Sequence, residues 1–157
     1  MVFFFYVFIN LLVLYLFVKM KKKLHILEIM VYWMVASYLF QNFSALCYMN
    51  FKTLIIKDIL SIEFTHFINR IILYPVVLVM FLIFYRRADS LLHKFSIFIS
   101  FLLILVGLEW SADYLGVITH VNWRIWWSFS FWFFSLLFLV VVMKLFRRVL
   151  FQGGLNI

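Results

Sequence analysis

The residues best suited to chemistry lie in one short run, IEFTHFINRIILYP (62–75), inside an otherwise apolar part of the chain. The run contains a carboxylate (Glu63), an imidazole (His66), an amide (Asn69) and a guanidinium (Arg70). Successive helical residues are about 100° apart, so Glu63, His66 and Arg70, at i, i+3 and i+7, share one helix face. Such a face could form an ion-pair network, exchange protons or bind a polar ligand.

A second group of ionisable residues lies in the C-terminal half of the chain. The segment GLEWSADYLG (107–116) carries Glu109 and Asp113, which are four residues apart and therefore share a helix face. His120 and Arg124 follow within HVNWRIWWS. These acids and bases complement those of the first run, so we predict that the two groups meet.

Composition places both groups in a membrane protein. Of the 157 residues, 68% are hydrophobic and 13% are charged, whereas a soluble domain is about half apolar and about a quarter charged. A soluble core could not bury so many large apolar side chains. We therefore predict an integral membrane protein with a single transmembrane domain and no separate soluble domain.

Five apolar runs are long enough to cross a bilayer, since a spanning helix needs about 17 to 25 residues. The predicted fold class is all-α, an integral membrane bundle of about five transmembrane helices. Pro75 lies within the third run and is expected to kink that helix. The amphipathic segment NFKTLIIKDIL (50–60) is expected to lie flat on the outer surface or to extend the third helix. The predicted spans are residues 2–18, 26–49, 62–85, 95–115 and 123–145.

The distribution of Lys and Arg predicts the orientation of the bundle. Ten of these residues lie in the segments 19–23, 86–94 and 144–148, and three lie in the connections on the opposite side. Cytoplasmic loops are rich in Lys and Arg, so the N-terminus is predicted outside and the C-terminus inside. The net charge of +8 thus belongs to membrane-flanking loops, and nucleic-acid binding, which needs a basic face on a folded domain, is not expected.

With this topology, ten polar residues fall at a similar depth near the outer surface. We predict that Arg70 pairs with Glu109, because charged helix faces are costly to expose to lipid. Asp113 and His66 are expected to complete this buried network. On the cytoplasmic side, Glu28 is expected to pair with the nearby lysines. The predicted network comprises Glu63, His66, Asn69, Arg70, Glu109, Asp113, His120, Arg124, Gln41 and Asn42.

The sequence leaves the role of this network open between a structural ion-pair network that fixes helix register and a functional site. Metal binding is disfavoured, because Glu63 and His66 form a single ExxH pair, whereas a carboxylate di-metal bundle needs two. The same pair suits general acid–base catalysis, but no nucleophile motif accompanies it, and Ser128 and Ser130 are interpreted as helix-packing hydroxyls. No metal or cofactor is predicted, and the single cysteine, Cys47, is interpreted as a structural thiol.

The C-terminal half also resembles a known family. The stretches LEWSADYLG and THVNWRIWWSFSFWF combine a Glu late in one span, a short Gly-containing loop, and Asn-Trp and Trp-Ser pairs at the start of the last span; the residues are Glu109, Gly116, Asn122, Trp123, Trp127 and Ser128. This pattern is similar to a family of small uncharacterised multipass membrane proteins named after a Clostridium botulinum locus, found mostly in endospore-forming Bacillota. The resemblance implies five helices and a bacterial cytoplasmic membrane, and it leaves the activity open.

These observations favour a non-enzymatic membrane component with an outward-facing polar pocket that binds a partner or a small ligand, in a spore-forming or envelope-stress context. A small transporter or channel subunit, with the network as a proton or ion relay, is the first alternative. An intramembrane enzyme that uses the Glu63–His66 pair is the second. Besides the lipid bilayer, the expected partner is a second copy of the chain or another membrane protein, held by packing and interhelical hydrogen bonds.

Cysteine labelling in intact cells tests the predicted topology. In a Lys22→Cys variant, a membrane-impermeant thiol reagent is expected to leave the introduced cysteine unlabelled, because the segment 19–23 is predicted to be cytoplasmic. A cysteine placed in the 114–122 loop is the positive control and should be labelled. Labelling of Lys22→Cys from outside the cell would contradict the orientation.

Overall fold

The computed structural model describes residues 1–20 and 24–152 and contains five helices in that part of the chain. They are α1 (Val2–Lys19), α2 (Ile26–Ala45, continued by a π-helical turn at Leu46–Asn50), α3 (Leu60–Arg87, with a π-helical turn at Asn69–Leu73), α4 (Leu91–Tyr114) and α5 (Ile125–Gln152). Four of these are long and apolar enough to cross a membrane, which confirms the predicted all-α membrane bundle. The exception is α2, whose apolar character is reduced by Glu28, Gln41 and Asn42.

Helix α3 lies at the centre of the bundle and packs against each of the other four helices. In an apolar 18-residue stretch of α3, 61% of the residues are buried. The corresponding fractions are 17%, 22% and 33% in α1, α4 and α5. Between Tyr74 and Ile83, every residue except Met80 is buried. A membrane-spanning helix can be apolar on all sides whether it faces lipid or other helices, so the central position of α3 is visible in its packing and not in its apolar sequence.

The middle of α3 is adapted to Pro75, which follows its π-helical turn. Proline has no backbone N–H, so the carbonyl of Ile71, four residues earlier, lacks the donor that a regular α-helix would provide. The indole of Trp33 on α2 donates to this carbonyl oxygen at 3.1 Å. Around the proline, a neighbouring helix thus bonds the freed backbone group, as membrane interiors require.

Helix α1 is attached to the bundle by two polar contacts. The amide of Asn10 donates to Oδ1 of Asn69 on α3 at 2.9 Å. The hydroxyl of Tyr6 lies 3.1 Å from Oγ of Ser111 on α4. Lipid tails are as apolar as the helix surface, so packing and interhelical hydrogen bonds of this kind hold such a helix in place.

The two ends of the bundle are built differently. At one end, here called the ladder end, the connections 51–59 and 115–124 are joined by a short antiparallel ladder. In it, β1 (Leu54–Ile55) pairs with β2 (Thr119–His120). At the opposite end, here called the basic end, α1 and α3 finish in Lys and Arg residues, and α5 carries Arg147 and Arg148 near its C-terminus. The predicted orientation makes the ladder end extracytoplasmic.

The ladder corrects the expectation for the segment 50–60, which neither lies flat as an amphipathic helix nor extends α3. Lys52 adopts a positive φ of 50°, a left-handed conformation that does not continue a helix. The backbone of the segment then bonds to the 115–124 connection, for example through the Val121 N–H and the Thr53 carbonyl at 2.9 Å. These bonds satisfy backbone groups that a flat helix would have satisfied internally.

Glu28 joins three helices at the basic end and is 1% exposed. Its carboxylate accepts hydrogen bonds from Arg147 of α5 at 2.7 Å and from the Tyr32 hydroxyl at 3.2 Å. The Arg86 guanidinium of α3 lies 3.8 Å away. The described ion-pair partners of Glu28 are therefore arginines from distant parts of the chain rather than the adjacent lysines; residues 21–23 lie outside the described residues. The sequence could not show this, because the ends of α3 and α5 reach Glu28 only through tertiary packing.

The hydrogen bond around Pro75 predicts the effect of a conservative substitution. Trp33→Phe is expected to lower the free energy of unfolding in detergent by about 1–3 kcal/mol, because the Ile71 carbonyl loses its donor. Trp110→Phe is the matched control, since Trp110 is 68% exposed, and it should be close to neutral.

A second background isolates the backbone contribution. In a Pro75→Ala variant, the backbone N–H of residue 75 is restored and can bond to the Ile71 carbonyl. Trp33→Phe should therefore lower the free energy of unfolding less in this variant than in the parent. Equal costs in the two backgrounds would show that Trp33 acts by packing alone.

Candidate functional site

Glu109 of α4 is buried at the ladder end, with 5% of its surface exposed. The Trp132 indole donates to its Oε2 at 2.5 Å, and the Ser128 hydroxyl donates to its Oε1 at 2.9 Å. Nε2 of His120 lies 3.3 Å from Oε1, an ion-pair contact that is not aligned as a hydrogen bond. Partners from α5 and β2 thus supply the contacts that a buried carboxylate needs.

His120 is held between two acids and an indole. Its Nδ1 lies 3.5 Å from Oδ1 of Asp113, and its backbone N–H donates to the same oxygen at 3.0 Å. Its ring stacks on Trp123 with 4.9 Å between the ring centroids. Trp123 in turn donates from Nε1 to Oγ of Ser128 at 2.8 Å. We call this group the glutamate cluster; its members are Glu109, Asp113, His120, Trp123, Ser128 and Trp132.

The surroundings of His120, which lies in the connection between α4 and α5, raise its pKa above the ordinary value. Burial by itself lowers the pKa of the imidazole, but the close contacts with Glu109 and Asp113 and the negative charges of these two acids outweigh that effect. A protonated imidazole is also attracted to the face of the Trp123 indole. The charge of the glutamate cluster therefore changes with pH at the ladder end.

His66 and Asn69 are the residues of the first polar run that point into the bundle. Nε2 of His66 lies 3.3 Å from Oγ of Ser44 on α2. His66 and Asn69 line a small cavity of about 20 Å³, together with Tyr74 and Glu109. That is the volume that one water molecule needs. The polar face of α3 thus meets the glutamate cluster across this cavity.

Glu63 and Arg70 line a different space, an open groove of about 460 Å³ between α2 and α3 at the ladder end. His66 lies between the groove and the cavity and lines both. Within the described part of the chain, neither Glu63 nor Arg70 forms an ion pair, and the buried Nε of Arg70 has no hydrogen-bond partner. The remaining walls are mostly apolar and include Tyr48, Met49, Leu60, Phe64 and Phe67.

The predicted pair between Arg70 and Glu109 is therefore wrong. Glu63, His66 and Arg70 are spread over about 60° of the surface of α3. The bundle buries the side of this sector on which His66 lies. Glu63 and Arg70 are turned by about 40° to 60° from His66, away from Asn69 and towards the groove. The carboxylate of Glu109 takes its partners from α5 and β2 instead.

Three other predicted members of the network also lie outside it. Gln41 and Asn42 are exposed on α2, and the Asn42 amide donates to the Tyr38 carbonyl of the same helix at 2.7 Å. Arg124 is exposed in the connection before α5. On α2 the residue that reaches the site is Ser44, three positions after Gln41. Depth follows from counting residues, but the face that turns inward depends on how the helices pack.

Sequence reasoning missed Ser44 and Trp132 and misread Ser128. Ser128 is a direct partner of Glu109 rather than a packing hydroxyl. A signal was present, because Ser128 and Trp132 are four residues apart and so present two hydrogen-bond donors on one face of α5. The structure brings together Glu109, Trp123 and Ser128, which belong to the family-like pattern of the sequence.

The described residues do not form a metal centre. No group of three or more His, Cys, Asp and Glu side chains there could hold a metal ion. Glu63 and His66 both line the groove, but no further acid joins them. Cys47 is buried and carries a free thiol.

Comparison with known proteins leaves the chain without a match: no protein-family model, no curated protein and no solved structure matches it. The family resemblance of its C-terminal half therefore stays a prediction.

The raised pKa of His120 predicts a pH-dependent stability. The charged form stabilises the folded state, and this contribution is fully present below the ordinary histidine pKa of about 6.5. It is lost as the pH rises through the higher pKa of the folded protein. Thermal unfolding in detergent from about pH 6 to about pH 9 should therefore show a loss of stability in the parent that His120→Gln lacks. His93→Gln, at the exposed start of α4, is the control. Identical pH profiles for the parent and His120→Gln would contradict this role.

Proposed function

We propose that the protein is a non-enzymatic component of a bacterial cytoplasmic membrane that binds an amphipathic ligand, through an anionic group of that ligand, in the groove between α2 and α3. The observation that carries the proposal is Arg70, which lines the groove and forms no ion pair with a described acid. A charge inside a membrane-spanning helix is costly unless a partner balances it. An anionic group in the groove supplies that partner.

The walls of the groove suit a ligand that is partly apolar. Leu60 is 82% exposed, Met49 is 70% exposed and Phe64 is 52% exposed, so these side chains face the surroundings of the bundle. A volume of about 460 Å³ also lies within the usual range of small-molecule sites, roughly 300–1,000 Å³. With the ladder end outside, as the Lys and Arg distribution predicts, the groove opens in the outer leaflet.

A relay across the membrane has less support. The cavity and the glutamate cluster both lie in the ladder half of the bundle. Between them and Glu28, the described core is dominated by buried apolar side chains of α3 and α5, among them Val79, Leu82, Leu136 and Leu139. Proton or ion transfer needs a series of polar groups, and an apolar layer of this kind separates the two polar regions instead.

An enzymatic role also has less support. Ser44 and His66 form a hydroxyl–imidazole contact of 3.3 Å, and these residue types occur in nucleophilic catalysis. In such sites a third group normally orients the imidazole. Among the described residues no acid forms a hydrogen bond or ion pair with His66, so we interpret the contact as a buried hydrogen bond that joins α2 to α3.

Substitution of Arg70 tests the proposed ligand site. Arg70→Gln is expected to weaken the binding of phosphatidylglycerol about tenfold or more, because a hydrogen bond to a charged group contributes about 1.5–3 kcal/mol. Native mass spectrometry of the purified protein in a non-ionic detergent measures the affinity. Unfolding curves of the same samples confirm that the variant is folded.

Arg124→Gln is the matched control, since it removes the same charge from an exposed position at the same end of the bundle. Its affinity should stay close to that of the parent. Equal losses in the two variants would mean that overall charge attracts the lipid, and the proposal would then fail.

A further inference from the structure

The groove between α2 and α3 presents two opposite charges in a fixed order. Glu63 lies in the first turn of α3, nearest the ladder end, and Arg70 lies seven residues deeper, about 10 Å further along the helix axis. The two side chains form no ion pair with each other or with another described residue. Helical side chains lean towards the N-terminus of their helix, so both lean towards the ladder end.

We propose that the ligand of the groove is a zwitterionic phospholipid of the surrounding bilayer, whose phosphate binds Arg70 and whose ammonium group binds Glu63. This inference rests on the proposed function and adds the second charge. In an ethanolamine phospholipid the phosphate lies between the glycerol and the amine, so it is closer to the acyl chains than the ammonium is. The groove repeats that order, with the guanidinium deeper and the carboxylate closer to the surface.

The chemistry of the deeper position fits a phosphate. A guanidinium presents several N–H donors in a planar fork, which matches two oxygens of a phosphate. Arg70 has its buried Nε without a hydrogen-bond partner among the described residues. Its guanidinium carbon lies 6.0 Å from the centre of the Phe67 ring, so an apolar wall stands directly beside the charge.

The position of the groove favours a lipid over a water-soluble zwitterion. It lies between two helices of a membrane bundle, and the exposed side chains of Met49, Phe64 and Phe67 are part of its lining. A bilayer lipid reaches such a groove without leaving the membrane, and its chains cover these apolar surfaces. Glu63 is exposed at the outer part of the groove, where the ammonium of a headgroup would lie.

Three lipids with identical acyl chains separate the contributions of the two charges. Phosphatidylethanolamine carries both groups, phosphatidylglycerol carries only the phosphate, and diacylglycerol carries neither. Native mass spectrometry of the full chain in detergent is expected to give the tightest binding for phosphatidylethanolamine and the weakest for diacylglycerol. Glu63→Gln should lower the affinity for phosphatidylethanolamine about threefold or more, as expected for a partly exposed ion pair. The affinity for phosphatidylglycerol should stay unchanged.

The outcomes distinguish this inference from the function on which it rests. If phosphatidylglycerol binds as tightly as phosphatidylethanolamine, or if Glu63→Gln lowers the affinity for both lipids alike, the ammonium contact with Glu63 is ruled out. The binding of an anionic group by Arg70 would still stand. If Arg70→Gln weakens neither lipid, both proposals fail. Asp58→Asn, an acid-to-amide change just before α3 and outside the groove lining, is the control for a general loss of negative charge and should leave all three affinities unchanged.

Discussion

The interior of a bilayer offers no hydrogen bonds, so each polar group buried in the bundle must find its partner within the protein. Glu109 shows how this constraint organises the fold, because a single carboxylate is bonded to α5 and contacts β2 while it belongs to α4. Glu28 has the same function at the basic end, where it joins the start of α2 to the ends of α3 and α5. These two acids tie the outer helices together at opposite ends of α3.

The same constraint accounts for the middle of α3. The carbonyl that Pro75 leaves without a donor bonds to Trp33, and Asn69 bonds to Asn10 of α1. In each case a polar feature of the central helix becomes a contact with a different neighbour. Arg70 departs from this pattern, since no described acid balances its charge. An uncompensated charge inside a membrane-spanning helix is costly, and a ligand that binds beside Arg70 would balance it.

The bounds of two of the helices could be predicted closely from the sequence. The third span was predicted as 62–85 and extends over Leu60–Arg87, and the fourth was predicted as 95–115 and extends over Leu91–Tyr114. Apolar runs are readable because the bilayer thickness sets their minimum length. The β-ladder between the connections 51–59 and 115–124 was not predicted. Two-residue strands have too little periodicity to read, and their pairing joins segments that are far apart in the chain.

The sequence by itself determined the membrane class of the protein and marked Glu109, Asp113, His120, His66 and Asn69 as polar residues of the ladder half. It did so because hydrophobicity and helical spacing are local properties. Only the tertiary structure decided which side of the α3 face turns inward. That choice placed His66 and Asn69 against the cavity and left Glu63 and Arg70 in the groove. A rotation of some tens of degrees about a helix axis changes the partner of every residue on it, and packing against four neighbouring helices, rather than any local pattern, sets that rotation.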